Sequence, residues 1–87
     1  MDYNNLKIKN MDIKVLGTGC PKCKALENAV INALSELQIQ AEVSKVEDIM
    51  QIMQFGVMQT PALVIDGKVA LSGRLPNNKE LKSLLTQ

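Results

Sequence analysis

The stretch from Asp12 to Leu37 limits the fold most, because strand-like alternation gives way there to helix-like spacing across only Gly17-Thr18-Gly19. Asp12-Ile13-Lys14-Val15-Leu16 alternates polar with apolar and carries two β-branched residues, which reads as a strand. Gly17-Thr18-Gly19 then breaks any regular element. From Cys20 onward Cys23, Leu26, Val30, Ala33, Leu34 and Leu37 recur at helical spacing, with Ala25 and Ala29 widening the stripe, so a helix is expected to about Leu37. Pro21 suits its first turn, where the missing N–H would have no intrahelical partner and the fixed φ is already helical.

Ile39 to Val46, with Ala41, Val43 and Val46, reads as a second strand, which the helix connection makes parallel to the first. Ser44 and Glu47 could instead form a capping box and start a helix early. Glu47 to Phe55 reads as a short helix with acidic residues in its first turn and Gly56 as its left-handed terminator. Met50 and Met53, at helical spacing, are expected to fill the core. Thr60-Pro61 leads into Ala62-Leu63-Val64-Ile65, the turn Asp66-Gly67 and Lys68-Val69-Ala70-Leu71-Ser72, a strong antiparallel hairpin signal. After Gly73 and Pro76, Asn77 can cap a last helix with Glu80 three residues on and Leu81, Leu84 and Leu85 facing inward. The order β-α-β-α-β-β-α predicts an α/β fold with a mixed four-stranded sheet flanked by helices on both faces.

With 87 residues, 46% of them hydrophobic, the chain can build one small core and not two. We therefore expect one domain, over residues 11–87, preceded by a flexible N-terminal extension at residues 1–10; the start of an extra strand or a leader segment are the alternatives for those ten residues. The formal net charge of +1, with both signs interspersed, argues against nucleic acid or an anionic membrane as a partner. Met1 to Asn10 has Lys7 and Lys9 but no apolar run of the secretory kind, and no segment reaches transmembrane length. A cytoplasmic location is the expectation. Two cysteines are too few for the several bridges by which small secreted domains are held, so the pair reads as chemistry rather than scaffolding.

Cys20-Pro21-Lys22-Cys23 places a Cys-x-x-Cys at a helix start. Cys20 falls at or beside the N-cap, where helix N–H groups and the positive end of the macrodipole favour thiolate over thiol, and Lys22 adds positive charge. The three-residue offset puts Cys23 on the same helical face, able to attack a mixed disulfide on Cys20. Cys20 is thus the candidate nucleophile and Cys23 the candidate resolving thiol. The competing reading is that both are small core residues, which requires spacing, helix start and strand context to coincide by accident. Two cysteines and no histidine cannot close a four-ligand zinc site within one chain, so no metal site is assigned.

At Gly17-Thr18-Gly19-Cys20-Pro21-Lys22-Cys23 and Gln59-Thr60-Pro61-Ala62-Leu63-Val64-Ile65-Asp66-Gly67 the chain resembles the small thioredoxin-like redox-active disulfide protein 2 family, within the thioredoxin/glutaredoxin-like superfamily. The resemblance spans Met11 to Leu85. It implies a minimal thioredoxin fold with sheet order 2-1-3-4 and disulfide exchange as the activity. It also implies that Pro61 is cis and packs beside the cysteines, with Thr60 offering its backbone to an extended substrate. The residues themselves say only that an X-Pro bond precedes a strand, and such bonds are mostly trans. Gly19 stands where thioredoxins commonly carry an aromatic, and no acidic residue lies between Ile13 and Cys20. Ser72-Gly73-Arg74 lacks the paired glycines and aspartate with which glutaredoxins hold glutathione.

The function expected on these grounds is a thiol–disulfide oxidoreductase that exchanges disulfides with proteins, in electron transport and cell redox homeostasis. Its contacts with substrate would be Pro21, Lys22, Met58, Thr60 and Pro61. It needs no cofactor beyond a redox-active Cys20–Cys23 disulfide. It would act as a monomer and draw electrons from an unidentified reductase. A soft-metal or metalloid carrier using the same dithiol, or a redox-sensing adaptor, are the alternatives. Arg74 and Lys22 read otherwise as solvated charges.

Overall fold

The computed structural model describes residues 11–19 and 21–86. The expected extension at residues 1–10 and the expected nucleophile Cys20 lie outside the described residues. The elements are β1 (Met11–Leu16), α1 (Pro21–Leu37), β2 (Ala41–Val46), α2 (Ile49–Gln54), β3 (Ala62–Ile65), β4 (Lys68–Ser72) and α3 (Asn78–Leu85). The sheet order is β2-β1-β3-β4, as expected, with β1–β2 parallel and the β1–β3 and β3–β4 pairs antiparallel.

Strand alternation sorts side chains onto two faces. Ile13, Val15, Leu63 and Leu71 meet Leu26, Val30, Ala33 and Leu34 of α1 and Leu81 and Leu85 of α3 in one buried cluster. Leu16, Val46, Ala62 and Val64 face the other way and meet Ile52 and Val57. Helices therefore cover both faces, but unequally. Full burial of a leucine or isoleucine stabilises by about 1.5–3 kcal/mol, so the α1/α3 side, with fully buried Ile13, Leu26, Leu63, Leu81 and Leu85, carries most of the hydrophobic stabilisation.

The element ends have local causes. α1 stops at Leu37 because Gln38 turns left-handed at φ 57°, letting the Ile39 and Gln38 N–H groups reach back to the Leu34 and Ser35 carbonyls at 3.0 and 3.2 Å. The capping-box reading of Ser44 is overturned: β2 runs on to Val46, and α2 is capped by Asp48, whose carboxylate accepts from the Met50 N–H at 2.9 Å. Gly56 terminates α2 at φ 79°. Asp66 and Gly67, at φ 51° and 85°, make the tight hairpin turn, and Asp66 also ties it to β1 by accepting from the Asp12 N–H at 2.9 Å. Asn77 caps α3 by accepting from the Glu80 N–H at 2.7 Å. The Glu80 carboxylate, expected to complete a capping box, turns to Arg74 instead.

Candidate functional site

The site forms where three segments converge at the carboxyl end of β1. β1 leaves the sheet through Gly17, whose N–H donates to the Val46 carbonyl at 3.0 Å. The chain then turns through Gly19 at φ 88° and enters α1 at Pro21. Pro21 and Lys22 are exposed, whereas Cys23 is buried with 6% exposure. The burial of Cys23 follows from the apolar stripe, since Cys23, Leu26 and Val30 line the inward face of α1. Ala25 does not join that face and is exposed, while Ala29 packs partly against it.

The second segment is Met58-Gln59-Thr60-Pro61. The Thr60–Pro61 peptide bond is cis, and Pro61 is buried. Thr60 and Cys23 approach the same residue from two sides: a methyl group built on Gly17 would overlap the Cys23 Sγ and lie 3.8 Å from the Thr60 Cβ. The third segment is the end of β4, where the Gly73 N–H donates to the Pro61 carbonyl at 2.8 Å. The Gln59 side chain lies directly on Gly73, whose φ of 80° and lack of a Cβ both permit the approach. Glu47, from the connection between β2 and α2, brings a carboxylate oxygen 3.9 Å from where a Gly19 Cβ would stand.

Beside these segments opens a cleft of about 430 Å³, lined by Thr18, Thr60, Met58, Met53, Ile49, Ile52 and Val57. Met58 is 96% exposed, and Met50 and Met53 are 68% and 62% exposed. The expectation that Met50 and Met53 fill the core is therefore overturned. The reason is geometric: α2 has six residues, so only one position, Ile52, points at the sheet, and Val57 after the turn supplies the second apolar contact. Ile49, Met50 and Met53 are left exposed, and Ile49 and Met53 line the cleft with Met58.

Of the residues singled out in the sequence, the structure gathers Cys23, Thr60 and Pro61 around Gly17 and Gly73, and places Met58 on the rim of the adjoining cleft. Pro21 and Lys22 lie on the exposed first turn of α1 and do not line that cleft. Arg74 is exposed, as a solvated charge is expected to be. It makes a two-pronged ion pair with Glu80 at 2.8 and 2.5 Å, which raises the guanidinium pKa and holds the Glu80 carboxyl below its ordinary value. The sequence reading missed Gly17, Gln59 with Gly73, Glu47 and the apolar face of α2. A glycine ending an otherwise regular strand was the available signal for Gly17.

A thioredoxin-domain family model matches residues 11–86. A thioredoxin of Methanothermobacter thermautotrophicus is 37% identical over 76 residues, covering 87% of this chain and 99% of the relative. A thioredoxin of Methanocaldococcus jannaschii is 38% identical over 73 residues, covering 84% of each. A solved structure described as that of a malarial protein superposes with a TM-score of 0.66 at 10% identity, over 90% of this chain and 96% of that one, a likeness of fold. The chain belongs to the thioredoxin-domain family.

Proposed function

We propose that the protein is a thiol–disulfide oxidoreductase that exchanges disulfides with protein substrates through Cys20 and Cys23. The observation that carries this reading is the seating of the Cys23 thiol in the first turn of α1, buried and beside Thr60-Pro61. Family membership and the two thioredoxin relatives support it, as does the Cys-x-x-Cys spacing. Within the family, Cys20-Pro21-Lys22-Cys23 and Thr60-Pro61 are the residues that carry the resemblance to redox-active disulfide protein 2.

Cys20 directly precedes Pro21, the first residue of α1, so the helix terminus favours its thiolate. That thiolate attacks one sulfur of the substrate disulfide, forming a Cys20–substrate bond and releasing the other substrate sulfur as thiolate. The Cys23 thiol then loses its proton to solvent and attacks the Cys20 sulfur. The Cys20–Cys23 disulfide forms, and the second substrate sulfur leaves. The substrate gains two electrons and the pair loses two.

The substrate segment would lie across Thr60-Pro61 and Pro21-Lys22, with apolar side chains next to its cysteine resting on Met58, Met53 and Ile49. An external reductase would return the pair to the dithiol. A reducing compartment, the cytoplasm, suits an active pair with no further cysteine in these 87 residues.

Insulin reduction driven by dithiothreitol tests the reading. The protein should accelerate it, Cys20→Ser should abolish the acceleration, and Cys23→Ser should accumulate a mixed disulfide through Cys20. A mixed disulfide trapped through Cys23 in Cys20→Ser would overturn the roles, and an inert parent protein would overturn the activity.

A further inference from the structure

We propose that Gly17 is the positioning residue for the resolving thiol: its missing side chain is the space in which the Cys23 Sγ sits. The proposal rests on the reading of Cys23 as the resolving cysteine. Gly56 and Gly67 show the contrast. Both have a left-handed φ and no atom within 4 Å of where a Cβ would stand, so their glycine is explained by backbone torsion alone. Gly17 has no left-handed φ, so torsion does not require glycine there. What requires it is space: a Cβ at this position would overlap the Cys23 Sγ, lie 3.2 Å from the Cys23 Cβ and face the Thr60 Cβ at 3.8 Å.

The backbone on both sides of this contact is held. The Gly17 N–H is bonded to Val46 in the sheet, and Cys23 belongs to a helix whose Leu26 and Val30 are fully buried. The yielding part is the sulfur, the end of a side chain that turns about one bond. A methyl group at position 17 therefore rotates the thiol out of its seat while the fold stays in place. The step that suffers is the second one, in which the Cys23 sulfur bonds to the Cys20 sulfur and the substrate sulfur leaves. First attack by Cys20 does not depend on the seat.

Gly17→Ala tests this. We expect kcat for insulin reduction to fall roughly 10- to 100-fold, the loss that a misplacement of about an ångström brings. The Cys20–substrate mixed disulfide should accumulate in acid-quenched samples and KM should fall along with kcat, leaving kcat/KM near the parent's, while the rate of Cys20 alkylation by iodoacetamide stays at the parent value. Resolution at the parent rate would overturn the proposal. Urea unfolding of Gly17→Ala in the parent and in a Cys23→Ala background gives a second test that needs no activity. The shift in midpoint caused by Gly17→Ala should shrink when the sulfur is absent, and an equal shift in both backgrounds would overturn the seat. A parent protein without disulfide exchange would refute the functional reading and leave the urea comparison to decide on the seat.

Discussion

Met58 and Met53 show how little of the site is set by charge and how much by soft apolar surface. Both line the cleft next to Thr60, and both are more exposed than a core side chain of their size. A thioether on an unbranched chain adapts its shape to different partners, a property suited to the proposed role of this surface in accepting varied sequences around a substrate cysteine. Full burial of methionine stabilises by about 1.5–3 kcal/mol. Partial covering by a substrate is thus worth roughly 1 kcal/mol per residue, a factor of about five in affinity. Met58→Glu and Met53→Glu should each raise KM for insulin about fivefold, with kcat little changed. The rate with a small aromatic disulfide, which reaches the cysteines without resting on this surface, should stay near the parent's. Equal losses with both substrates would show that the variants disturb the dithiol rather than the docking surface.

At the scale of elements, what was legible in the sequence divides along one physical line. Periodic segments long enough to average over were readable: α1 ends at Leu37, the hairpin turns at Asp66-Gly67, and α3 is capped by Asn77, all as their residues predict. The inward face of the short α2 was not, because a helix with one buried position defines no 3.6-residue period, whereas the equally short hairpin strands were marked by their turn. The helix expected over Glu47 to Phe55 proves to be a six-residue α2, and its methionines, read as core, face outward. At the site, the chemistry-bearing Cys23, Thr60 and Pro61 could be found from motifs. The steric role of the glycines that admit them could not: a glycine ending β1 was a signal for position 17, but the vacancy there exists only once Cys23 and Thr60 are brought to it across the chain.

Acidic partners across elements were equally hidden, and they carry a pH dependence. Lys82 of α3 bonds the Glu36 carboxylate of α1, and Arg74 bonds that of Glu80. Each cation holds its carboxyl below the ordinary 4.5. A depressed folded pKa contributes stability that is fully present above the unfolded value and is lost as the pH falls through the folded one. The urea midpoint should therefore decline below about pH 4.5. Glu36→Gln with Glu80→Gln should flatten part of that decline, and added salt should weaken it, since both pairs are exposed. An unchanged acid slope in the double variant would show that neither pair holds α3 in place.

Across the whole molecule, the two faces of the sheet differ in how firmly they are covered, and the difference falls where the proposed chemistry needs it. On one face α1 presents Cys23, Leu26, Val30, Ala33 and Leu34 to the sheet, and α3 adds Leu81 and Leu85. On the other, α2 presents Ile52 alone, aided by Val57 and partly by Phe55. A six-residue helix has almost no stability of its own, because isolated helices shorter than about 12–15 residues are marginal in water. Its persistence depends on the Asp48 cap and on one buried side chain. The more firmly covered face therefore holds the Cys23 thiol, and the lightly held face carries Ile49 and Met53 on the cleft proposed to receive substrate. Native-state hydrogen exchange should resolve this as two levels of protection. The Ile52 N–H, bonded to the Asp48 carbonyl at 2.9 Å, should exchange through a local opening of α2. The amides of β1 and the middle of α1 should exchange only with global unfolding. Ile52→Val, a loss of about 0.5–1.5 kcal/mol, should lower protection of the Ile52 region and Gly56 with little effect on β1. Leu26→Ala, a loss of about 2–5 kcal/mol, should lower β1 and α1 together. If α2 exchanged with the same free energy as β1 and followed Leu26→Ala equally, the docking surface would be part of the rigid core, and adaptation to varied substrates would have to come from the exposed Met58 loop alone.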